Sequence, residues 1–193
     1  MISRCPRLDR KECRMANYTT KLVDRTNGAP SNLLRAIERD VQSLFGEAFD
    51  GSNLQMAVSW GDAGTIDNFV VHFVEDKTPA NSYLLRTWPQ LPKIDPRAGG
   101  HTYRDGVKSG SEVYRFDSAS RTQARGMGYA KLILHELFHN QFPHVNSDEV
   151  HGDWGGGGLA AAVPVLSDPP RRINDRNKEL IRRAFSVRTP QLS

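Results

Sequence analysis

The chain has 193 residues, 38% of them hydrophobic and 25% charged, a balance that suits a globular domain and excludes a disordered or collagen-like chain. No apolar run is long enough to cross a bilayer, and two cysteines, Cys5 and Cys13, exclude a disulfide framework. The net charge of +4 is modest and local: Arg171, Arg172, Arg176, Lys178, Arg182, Arg183 and Arg188 crowd the C-terminal end. Residues 1–16 are basic, hold both cysteines and lack an apolar stretch. They are expected to be a disordered leader, not a secretory signal, with Met15 as a second possible start. Residues 17–193 are expected to form one domain, in a protein that is cytoplasmic or exported without a cleaved signal.

Ser31 to Phe45 predicts an amphipathic helix, with Ser31 as N-cap, Leu34, Ile37, Val41, Leu44 and Phe45 at helical spacing, and Gly46 as its stop. Leu54 to Trp60 and Phe69 to Glu75 read as strands, and Ser82 to Trp88 as a third. Pro89 to Gly110, with three prolines and four glycines, reads as a surface loop or a long hairpin arm. Glu112 to Phe116 alternates and predicts a strand. Asp117 to Ser120 offers N-caps for a helix running to about Gln141, with Gly126 and Gly128 weakening its start, so that firm helix begins near Tyr129. Gly155 to Gly158 is a connection, or backbone that must approach a site closely. Leu159 to Val163 is a short apolar element, and Ile173 to Ser186 a final helix. The order implies an α+β fold: a small mixed sheet with helices packed on one side.

The chemistry concentrates in Leu132 to Asn140, which contains His135-Glu136-x-x-His139. Positions four apart share a helix face, so both imidazoles can reach one metal ion. Glu136 lies beside that face, where a carboxylate can serve a metal-bound water as general base without being a ligand. Four of the six histidines fall between His135 and His151. The expected cofactor is therefore Zn2+. His144 is the first choice for a third ligand, since Pro143 ends the helix and His144 can swing back at once. His151 is the alternate, reached through a longer loop, and Asp148, Glu149 and Asp153 stay in the set. Asp148 could instead orient a ligating histidine. His72 and His101 read as ordinary histidines of a strand and a loop. Trp60 and Trp88 read as packing residues, while Trp154 could wall a pocket.

From Gly128 to about Gly158 the chain resembles the zincin metallopeptidases. Nearest are those that follow His-Glu-x-x-His with a short turn and a third histidine, the metzincins. Phe142 stands where their motif has glycine, Val145 where it has the third histidine, and the last methionine, Met127, precedes the motif. The resemblance implies a zinc-dependent endopeptidase, with a protein or peptide as partner. It also implies that the strand before the metal helix, Glu112 to Phe116, pairs with the extended substrate. It calls for an oxyanion donor, for which His151, Arg171, Tyr103 and Tyr114 are the candidates. The small size fits a toxin or effector with a narrow substrate. The chain is expected to be a monomer with no membrane partner. The alternative is a non-enzymatic module, with a structural metal site and a basic C-terminal helix that binds nucleic acid or protein.

Overall fold

The computed structural model describes residues 16–52, 54–64, 69–95, 98–105, 108–115, 122–141, 174–175, 177–179 and 182. In chain order these form β1 (Ala16–Arg25), α1 (Ser31–Phe49), β2 (Leu54–Trp60), β3 (Phe69–Val74), α2 (Tyr83–Thr87), β4 (Gly100–Asp105), β5 (Lys108–Tyr114) and α3 (Thr122–Gln141). The strands make one sheet in the order β2-β1-β3-β5-β4, parallel except for β4, which runs antiparallel to β5. The fold is thus α+β with a five-stranded mixed sheet. None of the described helices is long and apolar enough to cross a membrane.

Strand alternation sends side chains to two unlike faces. Tyr18 and Leu22 of β1, Leu54 and Met56 of β2, Phe69, Val71 and Phe73 of β3 and Val113 of β5 join the main core. They pack there against Ile37, Val41 and Phe45 of α1 and Tyr129, Ile133 and Leu137 of α3. The Phe73 and Tyr129 rings meet edge to face with centroids 4.9 Å apart. The opposite face is not bare, as helices on one side alone would leave it. There Val74 and Tyr114 pack with Ile94, and α2 docks through the wholly buried Glu112. Glu112 accepts hydrogen bonds from Ser82 Oγ at 2.7 Å, Leu84 N at 3.1 Å and Tyr114 Oη at 2.7 Å. Three donors make the buried carboxylate tenable and fix the N-terminus of α2 on β5.

Several expectations are corrected. β1, the strand between β2 and β3, has no counterpart among the expected elements; it begins at Ala16, the last residue of the stretch read as leader, and residues 1–15 lie outside the described ones. Ser82 to Trp88 forms a helix: Ser82 is its N-cap, accepting from Leu85 N at 3.1 Å. Pro30, not Ser31, stands at the N-cap of α1, with no side-chain cap bond, and Gly46 does not end that helix. Gly46 is exposed, with open space where a Cβ would lie, so nothing stops the chain there. Of the two readings of the arm before β5, the hairpin holds, since it contains β4, antiparallel to β5; Glu112, however, lies on an interior strand, and β4 is the sheet edge. At the other edge, Gln42 of α1 stands where a sixth strand would pair. Its amide donates to Met56 O at 2.5 Å and accepts from Val58 N at 3.1 Å, which blunts β2 as a template.

Helix α3 starts at Thr122, well before Tyr129. Gly126 is there for contact with α1: a Cβ on it would sit 2.8 Å from Ala36 Cβ and 2.7 Å from Asp40 Oδ2. Gly126→Val is therefore expected to destabilise the fold by about 1–3 kcal/mol through overpacking. That corresponds to roughly 2–4 °C of melting temperature per kcal/mol, read by calorimetry. An unchanged melting temperature would show that α1 and α3 do not cross this closely.

His72 is a buried histidine held neutral by its surroundings. Arg25 Nε donates to its Nδ1 at 2.8 Å, and its ring stacks on Tyr83 with centroids 3.5 Å apart. Burial first, then the charges of Arg25 and Arg86, push its pKa from 6.5 down to about 3. The unfolded chain thus binds more protons than the folded one between about pH 6.5 and 3. Stability from this group is complete above that window and declines as pH falls through it, by at most about 1.4 kcal/mol per pH unit. His72→Gln keeps an acceptor for Arg25 but cannot titrate. Its melting temperature is expected to drop less than the wild type's between pH 7 and pH 5; equal drops would remove His72 from the acid response.

Candidate metal centre

Helix α3 is buried over nearly all of its C-terminal half: Leu132, Ile133, Leu134, Leu137 and Phe138 are each 3% exposed or less. Its polar residues fall in two adjacent rows of i and i+4. One row is His135 and His139. The other is Glu136 and Asn140, which faces β4 and β5.

In the first row the two Nε2 atoms lie 3.2 Å apart, with the rings inclined at 77°. Zinc bonds imidazole nitrogen at about 2.0–2.1 Å and arranges its ligands tetrahedrally, which puts two such nitrogens about 3.3–3.4 Å apart. The observed separation is within about 0.2 Å of that value, and it is also the length of an N–H···N hydrogen bond between the two rings. His135 is 5% exposed and His139 partly exposed, so the site opens on the His139 side.

In the second row Glu136 is 4% exposed. Thr102 Oγ1 lies 2.8 Å from its Oε2. Burial is the largest influence on its carboxyl and raises the pKa from 4.5 to about 8; the Thr102 bond works against this and the charge of Glu112 adds to it. A cation at the histidines would draw the value back down. Gly100 on β4 makes room for the carboxylate, since a Cβ there would lie 2.7 Å from Glu136 Oε1 and 2.8 Å from its Cγ.

Comparisons with protein-family models, curated proteins and solved structures gave no match.

The structure brings together His135, Glu136 and His139. The third-ligand candidates His144, Asp148, Glu149, His151 and Asp153 lie outside the described residues, as do Trp154 and Arg171. Among the described residues no group of three or more His, Cys, Asp or Glu is placed to hold a metal. Two oxyanion candidates are directed elsewhere. Tyr103 packs its ring edge to face on Trp88, centroids 5.3 Å apart, and Tyr114 gives its hydroxyl to Glu112. The Tyr114 phenol is pushed well above its ordinary pKa, by burial first and then by Glu112. His101 is half-buried on β4 rather than exposed in a loop, opposite Glu112. Of the basic C-terminal residues, Arg182 donates to Ala48 O at 2.9 Å and Asp50 O at 2.6 Å, so it ties the chain to the end of α1.

Thr102, Ser111, Asn140 and Gly100 are the residues that the motif alone did not flag. Asn140 carried one signal, its place four residues after Glu136. The others have none, because only the β4–β5 hairpin brings them to α3.

Proposed function

We propose that this chain is a zinc-dependent endopeptidase acting on a protein substrate. His135, His139 and a third group from the segment after α3, His144 ahead of His151, would hold the zinc. The observation that carries the reading is the 3.2 Å approach of the two Nε2 atoms on the helix that also buries Glu136. When bound, zinc supplies a water whose pKa lies near 7. Glu136 is the general base: its carboxylate takes a proton and returns it to the leaving amine. Burial of Glu136 keeps bulk water from competing for that proton. The extended substrate would add to the sheet at β4, the antiparallel edge strand, in place of the Glu112 to Phe116 edge expected from the resemblance. A narrow substrate, as in a toxin or effector, is the setting proposed from the chain's size.

The test combines elemental analysis of the purified protein with a proteome-wide screen for newly formed amino termini, run for wild type and for Glu136→Gln. About one zinc per chain, with cleavages present only in the wild type, supports the reading. A protein that takes up no zinc, or equal cleavage by both forms, sinks it.

A further inference from the structure

Glu136 sits at the end of a hydrogen-bond chain that its role as a base does not by itself require. Thr102 Oγ1 lies 2.8 Å from Glu136 Oε2, 3.0 Å from Glu136 O and 2.9 Å from Ser111 Oγ. Ser111 Oγ in turn accepts from Asn140 Nδ2 at 3.3 Å, and Asn140 Oδ1 accepts from Ser109 Oγ at 3.3 Å. Arg104 Nη2 donates to Asn140 O at 2.8 Å and ties the same turn of α3 to β4.

A count of protons orients this chain. Thr102 has a single hydroxyl hydrogen and three acceptor oxygens around it. The contact with Glu136 Oε2 is the shortest of the three, and in the ionised form, the one that acts as a base, the carboxylate is the strongest acceptor, so in that form the hydrogen goes to Glu136 Oε2. Ser111 must then donate to Thr102, and the Asn140 amide to Ser111. Every donor points the same way, from Asn140 through Ser111 and Thr102 to Glu136, and bonds in such a series reinforce one another. Ser111 is wholly buried, so bulk solvent does not compete with it as donor. On its other side the carboxylate is bounded by Gly100, where any Cβ would overlap it. The strand thus pulls the carboxylate from one side and leaves a glycine-sized space on the other.

We infer that Thr102 is a positioning residue for Glu136: its hydroxyl, driven by Ser111 and Asn140 and given room by Gly100, sets where the base carboxylate lies. Both residues that bound the carboxylate belong to β4, so the edge strand offered to a substrate also aims the base. This inference rests on the peptidase reading given above.

The experiment uses the full chain loaded with zinc and measures the dissociation constant of acetohydroxamate. This small chelator occupies an open zinc position and carries a proton that a correctly placed carboxylate accepts. It needs no knowledge of the substrate. Thr102→Val keeps the β-branched shape and is expected to weaken binding about tenfold or more, the effect of losing a hydrogen bond to a charged group. Thr102→Ser restores the hydroxyl and is expected to bind within about twofold of wild type. Ser111→Ala is expected to fall between the two, with zinc content unchanged in all three.

Wild-type affinity in Thr102→Val, with weakened binding in Glu136→Gln, overturns the inference and leaves the peptidase reading standing. Equal weakening in Thr102→Ser and Thr102→Val also overturns it, since shape and not the hydroxyl would then matter. If Thr102→Val does not fold, Ser111→Ala decides, and wild-type affinity there overturns the inference. A wild type that takes no zinc, or a Glu136→Gln form with unaltered hydroxamate affinity, overturns the peptidase reading and this inference together.

Discussion

Glu136→Gln is expected to lower kcat/KM for peptide hydrolysis by about 10²–10⁴-fold while zinc content stays at the wild-type level. Glutamine matches glutamate in size and can still accept from Thr102, so the space beside Gly100 stays filled and α3 keeps its seat on β4. What it cannot do is take a proton. The two imidazoles are untouched, so the metal site loses no ligand. The fold should tolerate the change well, because burial already disfavours the charge of Glu136 and pushes its pKa to about 8. The melting temperature is expected to stay within a few degrees, so a loss of activity reports chemistry and not unfolding. The rate is measured on a peptide taken from the cleavage screen, with zinc determined on the same sample. Turnover within threefold of wild type would end the role of Glu136 as base.

The parts of the site that could be read from the chain are those whose geometry is local. His135 and His139 share a face because a helix repeats every 3.6 residues, and the apolar residues around them demand a buried helix. The strands Leu54–Trp60 and Phe69–Val74 were legible because apolar and β-branched residues dominate them. β1 was not. Only Tyr18, Thr20 and Leu22 of its first eight residues turn to the main core, and Lys21 between them lies on the other face, where it reaches Ser59 at 2.8 Å. A strand with one polar face carries little apolar signal even at the middle of a sheet. Ser82 to Trp88 misled for another reason. Five helical residues are too few for a 3.6-residue period to emerge, and docking on Glu112, 30 residues away from Ser82, decides its shape. β4 is the hardest case. Its sequence, Gly-His-Thr-Tyr-Arg-Asp, has the composition of a loop. Of its positions facing α3, the first two are a glycine and a threonine because a carboxylate from α3 occupies the space, a partner more than thirty residues away, and the third, Arg104, reaches Asn140 O.

His135→Ala and His139→Ala are each expected to lower zinc affinity by more than the roughly 100-fold typical of losing an outer partner of a metal ligand. The two Nε2 atoms stand 3.2 Å apart on one rigid helix, a spacing that suits a tetrahedral ion. Removing either leaves a single imidazole from α3 and no fixed chelate. The same measurement, extended to the segment after the helix, decides the third ligand. α3 is assigned to Gln141, where the restriction that Pro143 places on Phe142 would end it. His144 can then return to the metal with few residues to order, so its loop closes at small entropic cost. Phe142 opposes this, because a bulky side chain resists the positive φ that tight returns often use. His151 avoids that strain through a longer loop. His144→Ala is expected to weaken zinc binding far more than His151→Ala, which would instead reduce turnover if His151 steadies the oxyanion. Zinc dissociation constants for the four alanine variants, taken in one competition assay with a chromophoric chelator, give the ranking. Unaltered zinc affinity in both His135→Ala and His139→Ala would remove the metal centre from α3. Wild-type affinity in His144→Ala with loss in His151→Ala would move the third ligand to the longer loop and leave the helix pair in place.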